Sequence, residues 1–298
     1  MTSTDRIVDR LSRSALLDPV ADAVQPVLRA TLDGGGAWAP IKDLLHGTAL
    51  GHPLHPAVTD VPVGAWTLAA IFDALDLAGR KEFAAAADLS IGIGLAGAVF
   101  AVATGLAEWS DTKDEPKRLG SLHGSLNGIG ATLYVTSLAL RGAGKRGAGI
   151  ATAYAAYAFV AASAYLGGEL AYNHQLGVKH TAPPLEPSGE YVAVLDATQL
   201  REGEPKRVDL GGVPVLLSRD ARGEIHAIAA TCTHRGAPLE EGEFSEDCVV
   251  CPWHGTRFAL ADGSVSEGPA TFPLARFESR VTAGRIELRP MFRSLTNP

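Results

Sequence analysis

The sequence predicts two domains of unlike class, an α-helical four-span membrane bundle followed by a small all-β domain. Hydrophobic residues fill 46% of the 298 positions, only 20% are charged and mean hydropathy is +0.11, an apolar balance for a water-soluble chain. Lysine and arginine are absent from 43–79, 82–112, 119–140 and 147–178, which marks out four hydrophobic blocks. Beyond residue 188 the texture changes to short β-rich runs split by glycine-containing turns.

The first 45 residues read as an amphipathic arm. RIVDRLSRSALL and PVADAVQPVLRATL carry a helical apolar stripe, Pro19 and Pro26 are expected to break the run, and the triglycine 34–36 separates the arm from the bundle. A helix lying on a surface is the expectation. The bundle is placed at 46–175, with spans at about 61–79, 87–108, 121–141 and 147–170. Leu89–Ala107, Leu119–Leu140 and Gly147–Gly168 hold no charged residue and approach or exceed the roughly 20 residues of a bilayer crossing. The first span is less regular, because Asp73 and Asp76 lie inside it and carboxylates at depth are costly unless paired or wet. Runs such as SIGIGLAGAVFAVATG suit close packing of membrane helices through small side chains; the same texture also fits a soluble bundle of buried Ala- and Gly-rich helices.

Four crossings return the chain to its starting side. Basic residues near span ends are almost balanced, with Lys42, Lys113, Lys117, Arg118 and Lys179 on one face and Arg80, Lys81, Arg141, Lys145 and Arg146 on the other. Orientation therefore rests on other signs: no export signal is visible at the N-terminus and the cysteines form no disulfide framework. Both termini and the β domain are expected in the cytoplasm. A net charge of −7 and a pI near 5.7 provide no positive field for a phosphate backbone, so no nucleic-acid partner is expected.

By this topology His52, His55, His123 and His174 fall at one membrane face, joined by Glu108 and Trp109. Imidazoles at a bundle end can ligate haem iron or another metal, or hydrogen-bond a quinone; they also cap helices or sit in the wet interface with no ligand. LHGTALG at 45–51 and LHGSLNG at 122–128 look alike and hint at duplicated hairpins. Asp73, Asp76 and Asp88, near the opposite face, read either as a proton or cation path or as paired helix-end carboxylates. The region from about 40 to 180 resembles a bacterial four-helix membrane family of undefined function through LHGTALGHPLHPAVTDVPVGAW and the later histidines. That resemblance implies a fold and no activity.

A Pro-rich linker is placed at 176–188 and a small antiparallel β domain at 189–291, with strands expected at YVAVL, KRVDL, VPVLLS, IHAIAA, CVV and RFAL. Inside it stand CTHRGAPL at 232–239 and CPWHGTRF at 251–258. A Cys-x-His and a Cys-x-x-His pair match a Rieske [2Fe–2S] centre, in which two thiolates hold one iron and two imidazoles the other. Cys232 and Cys251 are read as sulfur ligands, and His234 and His254 as nitrogen ligands. A tetrahedral zinc site also takes two Cys and two His, at other spacings. Cys248, in the apolar run CVVC, is expected to fill the strand interior and is left out of the ligand set.

These last hundred residues resemble the Rieske ferredoxins and the Rieske domains of ring-hydroxylating oxygenases. The resemblance implies that GPATFPL at 268–274 is the proline-containing loop covering the cluster, with Trp253 and Phe258 in its apolar shell. Respiratory-complex Rieske domains join the two loops by a disulfide, but Ala237 and Trp253 occupy those positions here. A potential in the lower part of about −150 to +300 mV is the expectation. A self-contained oxygenase would also need a mononuclear iron site of two histidines and a carboxylate, and 44 residues follow His254, so electron transfer alone is expected. The functional expectation is a membrane-anchored carrier of single electrons between a membrane quinone or haem b and a cytoplasmic redox partner protein. The competing one is a transporter or sensor whose helical half responds to the cluster's redox state.

Overall fold

The computed structural model describes residues 8, 10–32, 38–181, 190–245 and 247–291. The triglycine 34–36 and Pro183, Pro184 and Pro187 of the expected linker lie outside the described residues. Two compact units form, one from Met1–Ile41 and Leu54–Gly177, the other from Lys42–Pro53 and Val178–Pro298. Residues 42–53, divided between arm and bundle in the sequence reading, therefore fold with the C-terminal unit.

The first unit opens with α1 (Asp18–Leu32) and the start of α2 (Ala39–His46). Neither Pro19 nor Pro26 breaks α1 as expected. Pro19 sits in the first turn, where its missing N–H would have no partner anyway, and Pro26 is carried inside the helix. α1 is held by polar contacts to the end of a later helix. Gln25 Nε2 donates to the carbonyls of Trp109 and Thr112 at 2.9 and 3.2 Å, and Arg29 Nε to that of Ser110 at 2.6 Å. These donors reach carbonyls at and just past the helix C-terminus, where intrahelical N–H groups run out. Asp18 accepts both arms of the Arg118 guanidinium at 2.7 and 2.8 Å.

Four long helices follow: α3 (Leu54–Leu77), α4 (Ala84–Ser110), α5 (Asp114–Gly142) and α6 (Arg146–Gly168), the last continuing into a π turn at Glu169–Asn173. α3 pairs with α4 and α5 with α6 as two hairpins. The first helix begins seven residues before the expected span, because Pro56 falls in its opening turn and Pro62 is tolerated inside it. Among the described residues, three stretches are long and apolar enough to cross a bilayer, Leu54–Leu77, Lys81–Ser110 and Arg146–Asn173. α5 departs from the four-span expectation: at 29 residues it is roughly 43 Å long, but Asp114, Glu115, Lys117 and Arg118 charge its start and Gly, Ser, His and Asn dilute 120–128.

Glycines bring these helices into close packing. A Cβ at Gly94 would lie 2.3 Å from the Trp66 indole, and one at Gly130 would lie 2.8 Å from Val160. Trp66 stacks on Tyr134 with centroids 4.6 Å apart. At the bundle end formed by the α3–α4 and α5–α6 turns, Asp73 and Asp76 are fully buried and paired. Arg141 reaches Asp73 through two bonds of 2.8 and 2.5 Å and Asp88 at 2.7 Å. Arg146 bonds Asp76 and Asp88, and Lys81 adds a 2.7 Å bond to Asp76. These are the paired carboxylates, one of the two readings the sequence left open.

The second unit is three antiparallel sheets: β1 (Val192–Asp196), β10 (Arg285–Pro290) and β9 (Phe277–Thr282); β2 (Lys206–Leu210), β3 (Val213–Arg219) and β4 (Ile225–Ala229); and β5 (Glu243–Phe244), β6 (Cys248–Val250), β7 (Arg257–Ala259) and β8 (Val265–Glu267). Val215, Leu217, Ile228, Leu239, Val249, Phe258, Ile286 and Leu288 form its core. β9 and β10 join through Ala283 and Gly284, both at positive φ, the backbone a two-residue hairpin turn requires.

Replacing Arg141 by Ala removes both short bonds to buried Asp73 and leaves it only Arg146, 3.9 Å away, which is expected to cost about 3 kcal/mol. Thermal unfolding in detergent should show this loss, and the exchange of both residues (Asp73→Arg with Arg141→Asp) should recover part of it. An unchanged midpoint in the single variant would contradict the pairing.

Candidate metal centre

Two loops of the β unit have the same backbone. In the loop after β4, Cys232 N–H donates to Ala237 O and Gly236 N–H to Cys232 O, both at 2.9 Å. In the loop after β6, Cys251 N–H donates to Thr256 O at 2.8 Å and Gly255 N–H to Cys251 O at 3.1 Å. Gly236 and Gly255, each four residues past its cysteine, adopt φ of 76° and 74°, a conformation costly for any residue with a Cβ. The histidine lies two residues after the cysteine in one loop and three in the other, yet the turns coincide.

The loops bring all four sequence-predicted ligands together. Cys232 and Cys251 are buried and their thiols hydrogen-bond to each other. His234 and His254 stand with ring centroids 5.0 Å apart at an 83° interplanar angle. Each sulfur accepts two backbone N–H groups, Cys232 from His234 and Arg235, Cys251 from Trp253 and His254. The shared hydrogen bond and burial push the Cys232 thiol up, while the same bond pulls Cys251 down. Burial, reinforced by Arg235, His254, His46 and His180, holds His234 well below the usual imidazole value, in the neutral form that binds metal. Its buried Nδ1 has no hydrogen-bond partner. Two thiols under N–H donors beside a neutral, unpartnered imidazole nitrogen fit a mixed sulfur and nitrogen iron site.

Residues 268–274 lie against both loops. Thr233 Oγ1 donates to Phe272 O at 2.6 Å, and Thr256 Oγ1 accepts Ala270 N–H at 3.1 Å. Phe258 is fully buried as expected, but Trp253 is 55% exposed, its ring 6.5 Å from that of His254. Cys248 does not fill the strand interior. It stands on the opposite side of β6 from buried Val249, half-buried, with its sulfur 3.0 Å from Ser245 Oγ.

Sequence reasoning missed a second layer. Asp43 Oδ1 accepts Gly268 N–H at 2.8 Å, Thr48 packs on Gly268, His180 N–H donates to Thr233 O at 3.1 Å, and His46 is buried near enough to act on His234. No spacing rule links 43–48 to a loop more than two hundred residues away.

The other histidines divide between the units. His52 belongs to the C-terminal unit, its Nδ1 2.9 Å from Pro53 O. In the bundle, His55 and His123 come together with centroids 6.4 Å apart. His174 caps the π turn, its N–H donating to Glu169 O, and Glu108 is half-buried in the last turns of α4.

Like loops offering two thiols and two imidazoles at one edge of a small antiparallel β unit define an iron–sulfur electron-transfer module. Residues 190–278 match the family described as Rieske [2Fe-2S] domain, and residues 51–180 match Predicted membrane protein (DUF2231). The chain is 32% identical over 96 residues to ferredoxin CarAc of Metapseudomonas resinovorans, covering 32% of this chain and 90% of that protein. It is 34% identical over 115 residues to human apoptosis-inducing factor 3, covering 39% of this chain and 19% of that longer protein's length. The solved ferredoxin of carbazole 1,9a-dioxygenase from Nocardioides aromaticivorans IC177 is 30% identical, covering 34% of this chain and 98% of that one, with a TM-score of 0.32. The chain belongs to the Rieske [2Fe–2S] proteins through its C-terminal unit, fused to a DUF2231 membrane domain.

A Cβ at position 268 would lie 2.4 Å from Thr48 Oγ1 and 2.9 Å from Asp43 Oδ1. Gly268→Ala should therefore release residues 42–53 from the covering loop, raising amide exchange there by about tenfold while β3 and β4 stay protected. Unchanged exchange at 42–53 would refute that packing.

Proposed function

We propose that this protein is a membrane-anchored Rieske iron–sulfur protein that carries single electrons between a membrane carrier, quinone or haem, and a cytoplasmic redox partner protein. The matched pair of loops supports this most directly, because it presents two sulfurs and two imidazoles at one place. Cys232 and Cys251 would hold one iron and His234 and His254 the other. When bound, the [2Fe–2S] cluster supplies reversible one-electron chemistry. The four N–H groups on the sulfurs would stabilise the thiolate charge, the buried side of His234 keeps water away, and His254 beside exposed Trp253 offers an edge for exchange with a partner. Absence of a cysteine at 237 and 253 suits a reducing compartment, which supports placing the β unit and both termini in the cytoplasm.

The transporter reading has less behind it. Its motive was Asp73, Asp76 and Asp88, and these carboxylates are neutralised by Arg141, Arg146 and Lys81, leaving no unpaired acid among them for a cation path.

Cys232→Ser and Cys251→Ser should each lose iron, acid-labile sulfide and the reduced-state paramagnetic signal, whereas Cys248→Ser should keep all three. Retention in the first two variants would overturn the ligand set. Among the described residues the donors to the two sulfurs are backbone N–H groups and the shared thiol, with no serine or tyrosine hydroxyl, so a redox titration should place the midpoint in the lower half of about −150 to +300 mV. A value near the top of that range would contradict this. Reduction of the cluster by a membrane quinol, or by a haem within the protein, tests the electron route itself.

A further inference from the structure

The bundle repeats itself in three dimensions. His55, Trp66 and Asp73 on α3 follow one another at intervals of 11 and 7 residues, and His123, Tyr134 and Arg141 on α5 do the same, each 68 positions later. Every one of these residues meets its own counterpart. Trp66 stacks on Tyr134 at 4.6 Å, Asp73 pairs with Arg141, and His55 lies beside His123 at 6.4 Å between centroids. Contacts between equivalent positions are the mark of a two-fold axis. Since both hairpins start from the same end of the bundle, the axis runs along the helices, as in parallel membrane repeats. The register differs from the one that LHGTALG and LHGSLNG would give, which aligns His46 with His123.

The second helices of the hairpins repeat with their own constant offset of 62 residues. His55 Nδ1 faces Ala101 O at 3.0 Å, and His123 Nδ1 faces Ser163 O at 2.9 Å, the equivalent carbonyl. One turn further on, Gly105 abuts the His55 ring and Gly167 the His123 ring: a Cβ would lie 2.7 Å and 3.2 Å from the respective Cε1. Both imidazoles are thus fixed alike, with Nδ1–H donated to a backbone carbonyl and a glycine admitting the ring. That tautomer leaves the lone pair on Nε2. Binding the other ring nitrogen to a carbonyl is how proteins orient histidines that ligate metals and raise their basicity. Thr104 Oγ1 lies 3.3 Å from His55 Nδ1 and Ser163 Oγ 2.9 Å from His123 Nδ1, so hydroxyls support the same nitrogens. Asn127 Nδ2, 3.2 Å from His123 Nε2, is a group at that lone pair that a ligand would replace.

We propose that His55 and His123 form a two-fold symmetric bis-imidazole site for one transition-metal ion, bare or held in a porphyrin, ligated by one Nε2 from each hairpin. Metal–nitrogen bonds of about 2.0–2.1 Å let a single ion bridge rings at this separation. His52, His174 and Glu108, the other members of the set read from the sequence, take no part in it. The site deepens the proposed electron route by naming its membrane station, and it rests on that reading only for its purpose.

The test uses the full-length protein purified in detergent, as isolated and after addition of haemin, Fe²⁺ or Zn²⁺, with elemental analysis, the Soret band and the cluster's paramagnetic signal read together. Wild type should bind one metal per chain beyond the two irons of the cluster. A Soret band identifies a porphyrin, and stoichiometric metal without it a bare ion. His55→Ala and His123→Ala should each lower that occupancy by about tenfold or more, consistent with losing half of the ligand pair, whereas His174→Ala should not. An intact cluster signal in each variant shows that the chain has folded, and His55→Met should restore binding with shifted bands if the porphyrin is present. No extra metal in wild type under any addition, or full occupancy in either single variant, overturns the site. Failure of quinol to reduce the cluster while the extra metal is bound sinks the electron route and leaves the site standing.

Discussion

Two sulfur atoms, each beneath a pair of backbone N–H groups, set the terms for the C-terminal unit. A thiolate buried without a cation or donors is expensive, so the chain must supply those N–H groups wherever it places the cysteines. It does so twice with one turn, closed by bonds from the cysteine N–H and to the cysteine carbonyl and completed by a glycine at positive φ. The sheets β2–β4 and β5–β8 hold the turns at fixed points, and residues 268–274 bond to both. Once the sulfurs are placed, the histidines have little freedom, which is how a Cys-x-His and a Cys-x-x-His loop reach a common centre.

The membrane unit obeys a different constraint. Lipid gives its helices no hydrophobic reason to associate, so packing rests on close approach at glycines and on polar groups satisfied inside. Gly94 beneath Trp66 and Gly130 against Val160 provide the first; the Asp73–Arg141 pair and its neighbours provide the second. The two-fold relation between hairpins sets an acid of one repeat, Asp73, against a base of the other, Arg141, at the equivalent position.

Much of this was legible in the residues, and the rest was hidden for physical reasons. The cluster loops could be read because metal ligation fixes both residue type and spacing. β2, β3 and β4 matched their apolar runs closely, but β9 and β10 did not announce themselves: charged residues alternate along FESRVT and RIELRP, and only Phe277, Ile286 and Leu288 face inward. Proline misled at Pro19 and Pro26: the first sits in the opening turn, where its missing N–H costs nothing, and the second is carried in a helix that Gln25 and Arg29 tie to the end of α4. The packing of Asp43 and Thr48 on Gly268 joins residues far apart in the chain through one carboxylate and one missing Cβ, which no local pattern encodes. The repeat was hinted at by LHGTALG and LHGSLNG, but in another register, because apart from the histidines its contacts preserve position and not residue type: tryptophan answers tyrosine, and aspartate answers arginine.

Electron–nuclear double resonance on the reduced full-length protein, prepared with natural-abundance and ¹⁵N-labelled histidine, probes the central arrangement most directly. Two distinct histidine nitrogens coupled to the unpaired spin, both changing on labelling, are the result expected from His234 and His254 on one iron. A cluster whose spectrum shows no histidine coupling, or a single mononuclear ion in its place, would contradict the account.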